Sequence, residues 1–169
     1  MEIEMKSAES TDAAKILKLL EELQDESEFF TVKNLAQLTV EQEADNLDKI
    51  SDTNDNLVLI AMAAGEMIGI VTVAKIDKKA VGEIGIAIRK EYYHKGLGTA
   101  LLDEIIYWGD HFSPLNKFTL SVIAENEPAI GLYRKMGFKP NKVAMVPDRE
   151  GIERKSFIMT LELDESTAK

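Results

Sequence analysis

The sequence predicts a single α/β (α+β) domain built on one mixed, mostly antiparallel sheet of about seven strands flanked by helices. Three observations point there. A chain of 169 residues fits one domain. Short strand-like segments alternate with amphipathic helical ones in the order β-α-α-β-β-β-α-β-α-β-β. Tight turns join the strands of the first half, whereas the centre holds one strand–helix–strand unit. The sheet should therefore be antiparallel at first, with a single crossover in the middle.

The elements follow in chain order. Ile3 and Met5 alternate with Glu2, Glu4 and Lys6, the pattern of a half-buried strand. Asp12 opens a helix with Ile16, Leu19, Leu20 and Leu23 on one face. Thr39 and Gln42 have capping-box spacing, and Val40, Ala44, Leu47 and Ile50 follow at helical intervals. Between these helices, around Glu28, Phe29 and Phe30, no period is readable. Leu57 to Ala64 is a continuous apolar run, and Ala64-Gly65-Glu66 reads as a hairpin turn into Met67–Ile76. Asp77-Lys78-Lys79 turns the chain into a strand over Val81–Ile88. A glycine loop, a helix (98–109), a strand (118–123), a helix (128–136) and two strands (138–145 and 153–163) complete the chain. Residues 1–163 form the domain, and 164–169 read as a short polar tail.

Composition removes several classes of function. The chain has 0 cysteines, which excludes a disulfide scaffold, an iron–sulfur site and a thiol nucleophile. His94 and His111 are its only histidines, which argues against a multi-histidine metal site, and no metal is expected. A formal net charge of −10 repels nucleic acid and suits a cationic ligand, although solubility alone explains such a charge. No apolar run is long enough to span a bilayer, and the start of the chain is unlike a signal peptide, so a cytoplasmic location is expected with no membrane partner.

The densest chemical signal is Tyr92-Tyr93-His94-Lys95-Gly96-Leu97-Gly98-Thr99. It follows a strand and opens a helix. Gly96 and Gly98 allow close approach of the backbone and positive φ. Free N–H groups at the helix start, together with the helix dipole, favour a phosphate, and Lys95 adds a cation. The Walker pattern fails for want of a Gly-Lys-Ser/Thr ending, and Leu101 stands where a dinucleotide fingerprint needs its third glycine. The loop alone fits either a pyrophosphate cradle or a tight turn without ligand.

Ile86-Ala87-Ile88, Lys95-Gly96-Leu97-Gly98-Thr99 and the run from Asn126 to Phe138 (Asn-Glu-Pro-Ala-Ile-Gly-Leu-Tyr-Arg-Lys-Met-Gly-Phe) resemble the GNAT superfamily of N-acetyltransferases. The element order is similar too, so the resemblance covers nearly the whole chain. It implies a GNAT-like acyl-CoA N-acyltransferase fold and acetyl-CoA as cosubstrate. It places the pyrophosphate on the loop of His94, Lys95, Gly96, Leu97, Gly98 and Thr99, and the pantetheine along the backbone of Ile86, Ala87 and Ile88. Asn126 would hydrogen-bond the cofactor arm as well as cap its helix. Tyr133 would stand beside the sulfur as general acid, where periodicity alone reads a packed aromatic. The sequence departs from the family at Tyr93, where Gln or Arg is usual, and at His94, where glycine is frequent; His94 could touch a phosphate or stand in solvent.

An alkyl amine is mostly protonated at pH 7, so its attack needs a base. Glu83 is the first candidate: strand alternation puts it on one face with the small Gly85 and Ala87. Ser121 on the next strand cannot serve, and Glu28 and Glu125 remain substrate-side carboxylates. A backbone N–H near Ile86 would face the developing oxyanion. Glu28, Phe29 and Phe30 fall where the family builds its acceptor pocket. The partner is then a small-molecule or peptide amine, reached by direct attack in a ternary complex since no cysteine can form an acyl-enzyme. Homodimers are frequent in the family, but the sequence shows no interface signature. The alternative is a non-catalytic acyl-CoA-binding or regulatory domain. Trp108, with Leu101, Ile105 and Tyr107, is expected to pack into the core, and Arg149, Arg154 and Lys155 to be solvated.

Overall fold

The computed structural model describes residues 2–30 and 32–164. Its elements are β1 (Ile3–Ser7), α1 (Ala13–Glu26), α2 (Val40–Ser51), β2 (Leu57–Ala63), β3 (Glu66–Lys75), β4 (Val81–Ile88), α3 (Leu97–Phe112), β5 (Lys117–Ile123), α4 (Glu127–Lys135), β6 (Lys139–Pro147) and β7 (Glu153–Glu162). The strands form one 7-stranded sheet in the order β1-β2-β3-β4-β5-β7-β6. Every neighbouring pair is antiparallel except β4–β5, which is parallel and joined through α3. This is the mixed, mostly antiparallel architecture that the sequence predicts.

Both faces of the sheet are covered, which is why β2 and β3 read as unbroken apolar runs. Val58, Ile60, Met67 and Ile70 pack under α1 and α2 against Ile16, Leu19, Leu23 and Leu47. Leu59, Ala61, Val71, Val73 and Ile84 pack on the other face against Leu101, Leu102 and Ile105 of α3. A continuous run hides the alternation; the two clusters restore it.

Local signals explain the element ends. Thr39 Oγ1 accepts the Gln42 N–H at 3.1 Å and Gln42 Oε1 accepts the Thr39 N–H at 2.9 Å, a complete capping box. Ala64 (φ 51°) and Gly65 (φ 81°) supply the two positive angles that a two-residue hairpin turn requires. Asp12 stands at the N-cap of α1, as expected, but its side chain makes no cap hydrogen bond to that helix. It lies in a single 3₁₀ turn, where its carboxylate accepts the Glu9 N–H at 2.8 Å and pairs with Lys6 Nζ at 3.0 Å, and α1 begins one residue later.

One core expectation needs correction. Leu101 and Ile105 are fully buried and Trp108 packs beside them, but Tyr107 is 55 % exposed and stacks on His111 with ring centroids 4.2 Å apart. Helical spacing carries Tyr107 off the buried stripe. The polar tail is anchored at its start, since the Asp164 N–H donates to Asp110 Oδ1 at 2.7 Å; residues 165–169 lie outside the described residues.

Gly109 marks where α3 lies closest to the sheet. A Cβ there would come within 2.6 Å of Phe118 Cζ and 3.1 Å of Leu163 Cδ1. Alanine would gain about 1 kcal/mol of helix propensity, but overpacking against a ring that is 0 % exposed costs about 1–3 kcal/mol. We expect Gly109→Ala to lose about 1 kcal/mol net in urea unfolding. Equal or greater stability would mean that Phe118 has room to move.

Candidate active site

The parallel pairing of β4 with β5 covers Val81↔Lys117, Gly82↔Phe118 and Glu83↔Thr119, and then stops. Each strand runs on with its outer neighbour: β4 with β3 as far as Ile88↔Gly69, and β5 with β7 as far as Ile123↔Ser156. The sheet therefore splits like a fork, and a cleft of about 1100 Å³ opens between the tines. Glu83–Ile88 line one side, Ser121–Ile123 the other.

The register fixes which backbone groups face the gap. In an antiparallel ladder, alternate residues bond to the same neighbour. The Arg89 N–H donates to Ile68 C=O and the Ile76 N–H to Val81 C=O, both at 2.8 Å, so the odd-numbered residues of β4 spend their polar groups on β3. Ile84, Ile86 and Ile88 turn theirs toward the split. Past Glu83 no strand answers them, which leaves a short free edge able to pair with an extended amide-bearing ligand. Ala87, by the same parity, offers its side chain and not its amide.

The next segment closes one end of the cleft. The first intrahelical bond of α3 runs from the Ala100 N–H to Gly96 C=O at 3.1 Å, so the N–H groups of Leu97, Gly98 and Thr99 have no helical acceptor. His94 (φ 61°) and Gly96 (φ 80°) are both left-handed, and His94, Gly96, Leu97, Gly98 and Thr99 line the cleft. No acidic residue occupies the first turn of α3, so its positive dipole end stays uncompensated. Gly98 is helical and not left-handed. Its missing side chain makes room for α4, because a Cβ would meet Leu132 Cδ2 at 2.9 Å. Lys95 does not line the cleft; its ammonium lies 5.3 Å from the centre of the Tyr92 ring.

Helix α4 brings the remaining groups. Asn126 Oδ1 accepts the Ala129 N–H at 3.4 Å as N-cap, which leaves its NH₂ without a partner among the described residues, and Asn126 lines the cleft. Pro128 suits the first turn and Gly137 (φ 101°) ends the helix. Tyr133 is 9 % exposed and packs edge-on to Phe138 with centroids 5.9 Å apart. It lines the cleft, and its hydroxyl has no hydrogen-bond partner among the described residues. Burial pushes its pKa up to about 12, so the phenol is protonated at any physiological pH.

Glu83, at the fork, is exposed to the cleft and free of any ion pair among the described residues. Its side chain shares a face with Ala87, which packs on the α1 side of the sheet. Glu28, Phe29 and Phe30, after α1, also line the cleft, as do Ser121 and Ser156. No group of three or more His, Cys, Asp or Glu side chains is placed to hold a metal ion among the described residues.

Two features escaped the sequence. Arg89 clamps the end of β4 to α1 through Glu22 Oε2 at 2.6 Å and Glu26 Oε2 at 3.5 Å, while the Lys90 N–H donates to Glu26 Oε1 at 3.0 Å. Arg149, in the turn between β6 and β7, donates from Nη1 to Gln24 C=O at 2.7 Å. Neither Arg149 nor Arg154 is merely solvated, since Arg154 pairs with Glu125 at 3.2 Å and Asp148 at 3.3 Å. Contacts between residues so far apart in the chain leave no trace in local pattern.

A sheet split beside a helix N-terminus, with a phenol in the gap, defines the acyl-CoA N-acyltransferase class. The model of the acetyltransferase (GNAT) family matches residues 17–138, and the chain belongs to that family. The crystal structure of the acetyltransferase of GNAT family from Streptococcus pneumoniae superposes with a TM-score of 0.89 at 28 % identity, over 96 % of this chain and 100 % of that one. The structure of yncA from Salmonella typhimurium with its cofactor acetyl-CoA has the same fold, with a TM-score of 0.83 at 17 % identity over 100 % of this chain and 98 % of that one. The L-amino acid N-acetyltransferase AaaT of Escherichia coli (strain K12) is 26 % identical over 95 residues, which span 54 % of this chain and 59 % of that relative.

Gly96 is the position where the loop tolerates least. A Cβ would touch nothing within 4 Å, yet φ is +80°, so the cost is conformational and not steric. Alanine there carries about 1–2 kcal/mol of backbone strain, which the loop relieves by leaving the left-handed region. Gly96→Ala should raise the CoA dissociation constant roughly tenfold by calorimetry, with a small change in melting temperature. Unaltered affinity would detach the loop from CoA binding.

Proposed function

We propose that the protein transfers the acetyl group of acetyl-CoA to a primary amine by direct attack in a ternary complex, the acceptor being a small-molecule or peptide amine. The observation that carries this reading is the Tyr133 hydroxyl. It is protonated, has no hydrogen-bond partner among the described residues, and opens on the same cleft as the α3 amides and the free edge of β4.

The residues divide the work by position. The amides from His94 to Thr99 hold the diphosphate, with Lys95 adding charge nearby. Ile86 and Ile88 pair with the pantetheine amides, Ala87 leaves room beside them, and the Asn126 NH₂ bonds the same arm. Acetyl-CoA supplies the activated acyl group as a thioester. Glu83 takes the proton of the incoming ammonium, directly or through water, and frees the nitrogen lone pair. As the C–N bond forms, negative charge grows on the acetyl oxygen, and the Ile86 N–H faces it. The C–S bond then breaks, the Tyr133 O–H donates its proton to the departing sulfur, and the second proton on the new C–N nitrogen returns to the phenolate directly or through water. Glu28, Phe29 and Phe30 shape the acceptor side.

Tyr133→Phe keeps the ring and removes the donor. We expect kcat to fall about 10²- to 10⁴-fold while CoA affinity by calorimetry is unchanged. Unimpaired turnover would reassign the acid and favour a role in packing alone.

The pH dependence follows in sign. The acceptor amine loses its proton near pH ~10, so kcat/KM should climb with pH toward that value. Because the Tyr133 pKa lies at about 12, no descending limb should come from it below pH ~10. A clear alkaline fall centred well below pH ~10 that persists in Tyr133→Phe would assign proton donation to another group.

A further inference from the structure

The α1 face of the cleft carries charges of both signs that have no ionic partner among the described residues. Several ionisable groups there are already engaged. Glu26 is taken by Arg89 at 3.5 Å and by the Lys90 N–H at 3.0 Å. Asp148 accepts the N–H groups of Glu150 and Ile152, each at 2.9 Å, and pairs with Arg154 at 3.3 Å. Glu83, Glu28 and Arg149 are left without an ionic partner among the described residues, and all three line the cleft. Glu83 points to the α1 face by strand parity, and Arg149 reaches that face through its bond to Gln24 C=O at 2.7 Å. One donor of the guanidinium is used on a neutral carbonyl, which leaves the rest of the fork and the whole charge available.

The guanidinium is also held in place. Asp148 ties its own turn through the Ile152 and Glu150 amides, and the Asp148 N–H returns to Ile152 C=O at 2.8 Å. On the other bank, Gln24 Oε1 accepts the Val32 N–H at 2.9 Å, which fixes the segment after α1. Arg149 therefore bridges two braced segments beside the cleft.

We propose that this face selects a compact zwitterionic acceptor, an α-amino acid whose carboxylate binds Arg149 while its amine faces Glu83. The proposal rests on the acetyltransferase reading and names its substrate class. A polyamine could set its ammonium groups against Glu83 and Glu28 but would leave Arg149 without a counter-charge. A peptide N-terminus lacks the neighbouring carboxylate. A free amino acid satisfies both charges and stays short. The chemistry is unaltered: the amino nitrogen forms the new C–N bond, Glu83 takes its proton, and the carboxylate remains on the product.

The test compares the standard L-amino acids, their α-amides, a short peptide and spermidine in a free-thiol assay with acetyl-CoA, together with calorimetry of the amino acids on the CoA-loaded protein. A charge-assisted contact at an exposed site discriminates by roughly tenfold. The preferred amino acid should exceed its own amide by about that factor in kcat/KM, through KM. Arg149→Gln should bring the ratio close to one, and Arg149→Lys should retain part of it. A purely structural role would lower both substrates equally and leave the ratio unchanged, which overturns the proposal. So does an amide, a peptide or spermidine that matches or exceeds every free amino acid. If amino acids bind the CoA complex in an Arg149-dependent way without thiol release, the acetyltransferase reading fails while the site stands. If neither binding nor release occurs, both fail.

Discussion

The site depends on one discontinuity in hydrogen bonding: two parallel strands that stop pairing after three residue pairs. Unpaired backbone groups in a sheet interior are costly, so the split needs a mechanical cause. Each tine is held along its length by an outer antiparallel partner, β3 for β4 and β7 for β5. Sheet twist then carries the inner edges apart, because neither strand can follow the other without leaving its stronger ladder. The last hairpin contributes directly. β7 inserts between β5 and β6, so the end of the chain holds the cleft open. The opening, the free amides of Ile86 and Ile88, and the access to Tyr133 all follow from that.

Most of the fold was legible because its signals are local. The strand over Val81–Ile88 stands at the expected bounds, and the Thr39 capping box forms as its spacing implies. The glycine loop was legible as a feature but not in its reasons. Gly96 is needed for a left-handed angle, as expected, whereas Gly98 is needed for helix packing against Leu132, and a sequence shows both simply as glycine. Tyr107 was misread because Leu101, Ile105 and Trp108 beside it do pack into the core, and a helix places its immediate neighbours on different faces. The segment around Phe29 and Phe30 had no period to read, and its position is set by remote bonds such as Gln24 to Val32. Arg149 was legible only as a charge; its role depends on an α1 carbonyl at the other end of the chain.

The charge pattern also separates the local from the global. A net charge of −10 opposes a polyanionic ligand, yet screening limits that effect to about 8 Å at physiological ionic strength. Within such a distance of the cradle, backbone matters more than composition. Six successive residues, His94 to Thr99, have no N–H bond to another backbone carbonyl, and the positive end of a 16-residue helix stands behind them with no carboxylate in its first turn. Acidic residues commonly occupy that turn because they stabilise the helix. Their absence gives up some stability and keeps the amides available, the arrangement that an anion-binding helix start requires. Bulk acidity reports on solubility, and the local arrangement reports on the ligand.

On the proposed reading, burial of Tyr133 bears on what kind of acid it is. Its pKa of about 12 guarantees the proton but weakens the drive to give it away. A thiol titrates near ~8.5 in water, so full transfer from such a phenol to a thiolate would be uphill by roughly 5 kcal/mol if the sulfur kept its aqueous value. The same apolar surroundings act on the sulfur, since desolvation disfavours the thiolate as it disfavours the phenolate. The two values move together, and the gap narrows in the site where both are buried. On the proposed reading, Tyr133 acts first as a hydrogen-bond donor that stabilises charge on sulfur as the C–S bond lengthens, with the proton following as that charge accumulates. A more exposed tyrosine would be the stronger acid, but it would face a better solvated leaving group that needs it less. The unpartnered hydroxyl is consistent with that division: no group among the described residues would compete with a bound sulfur for the hydrogen bond.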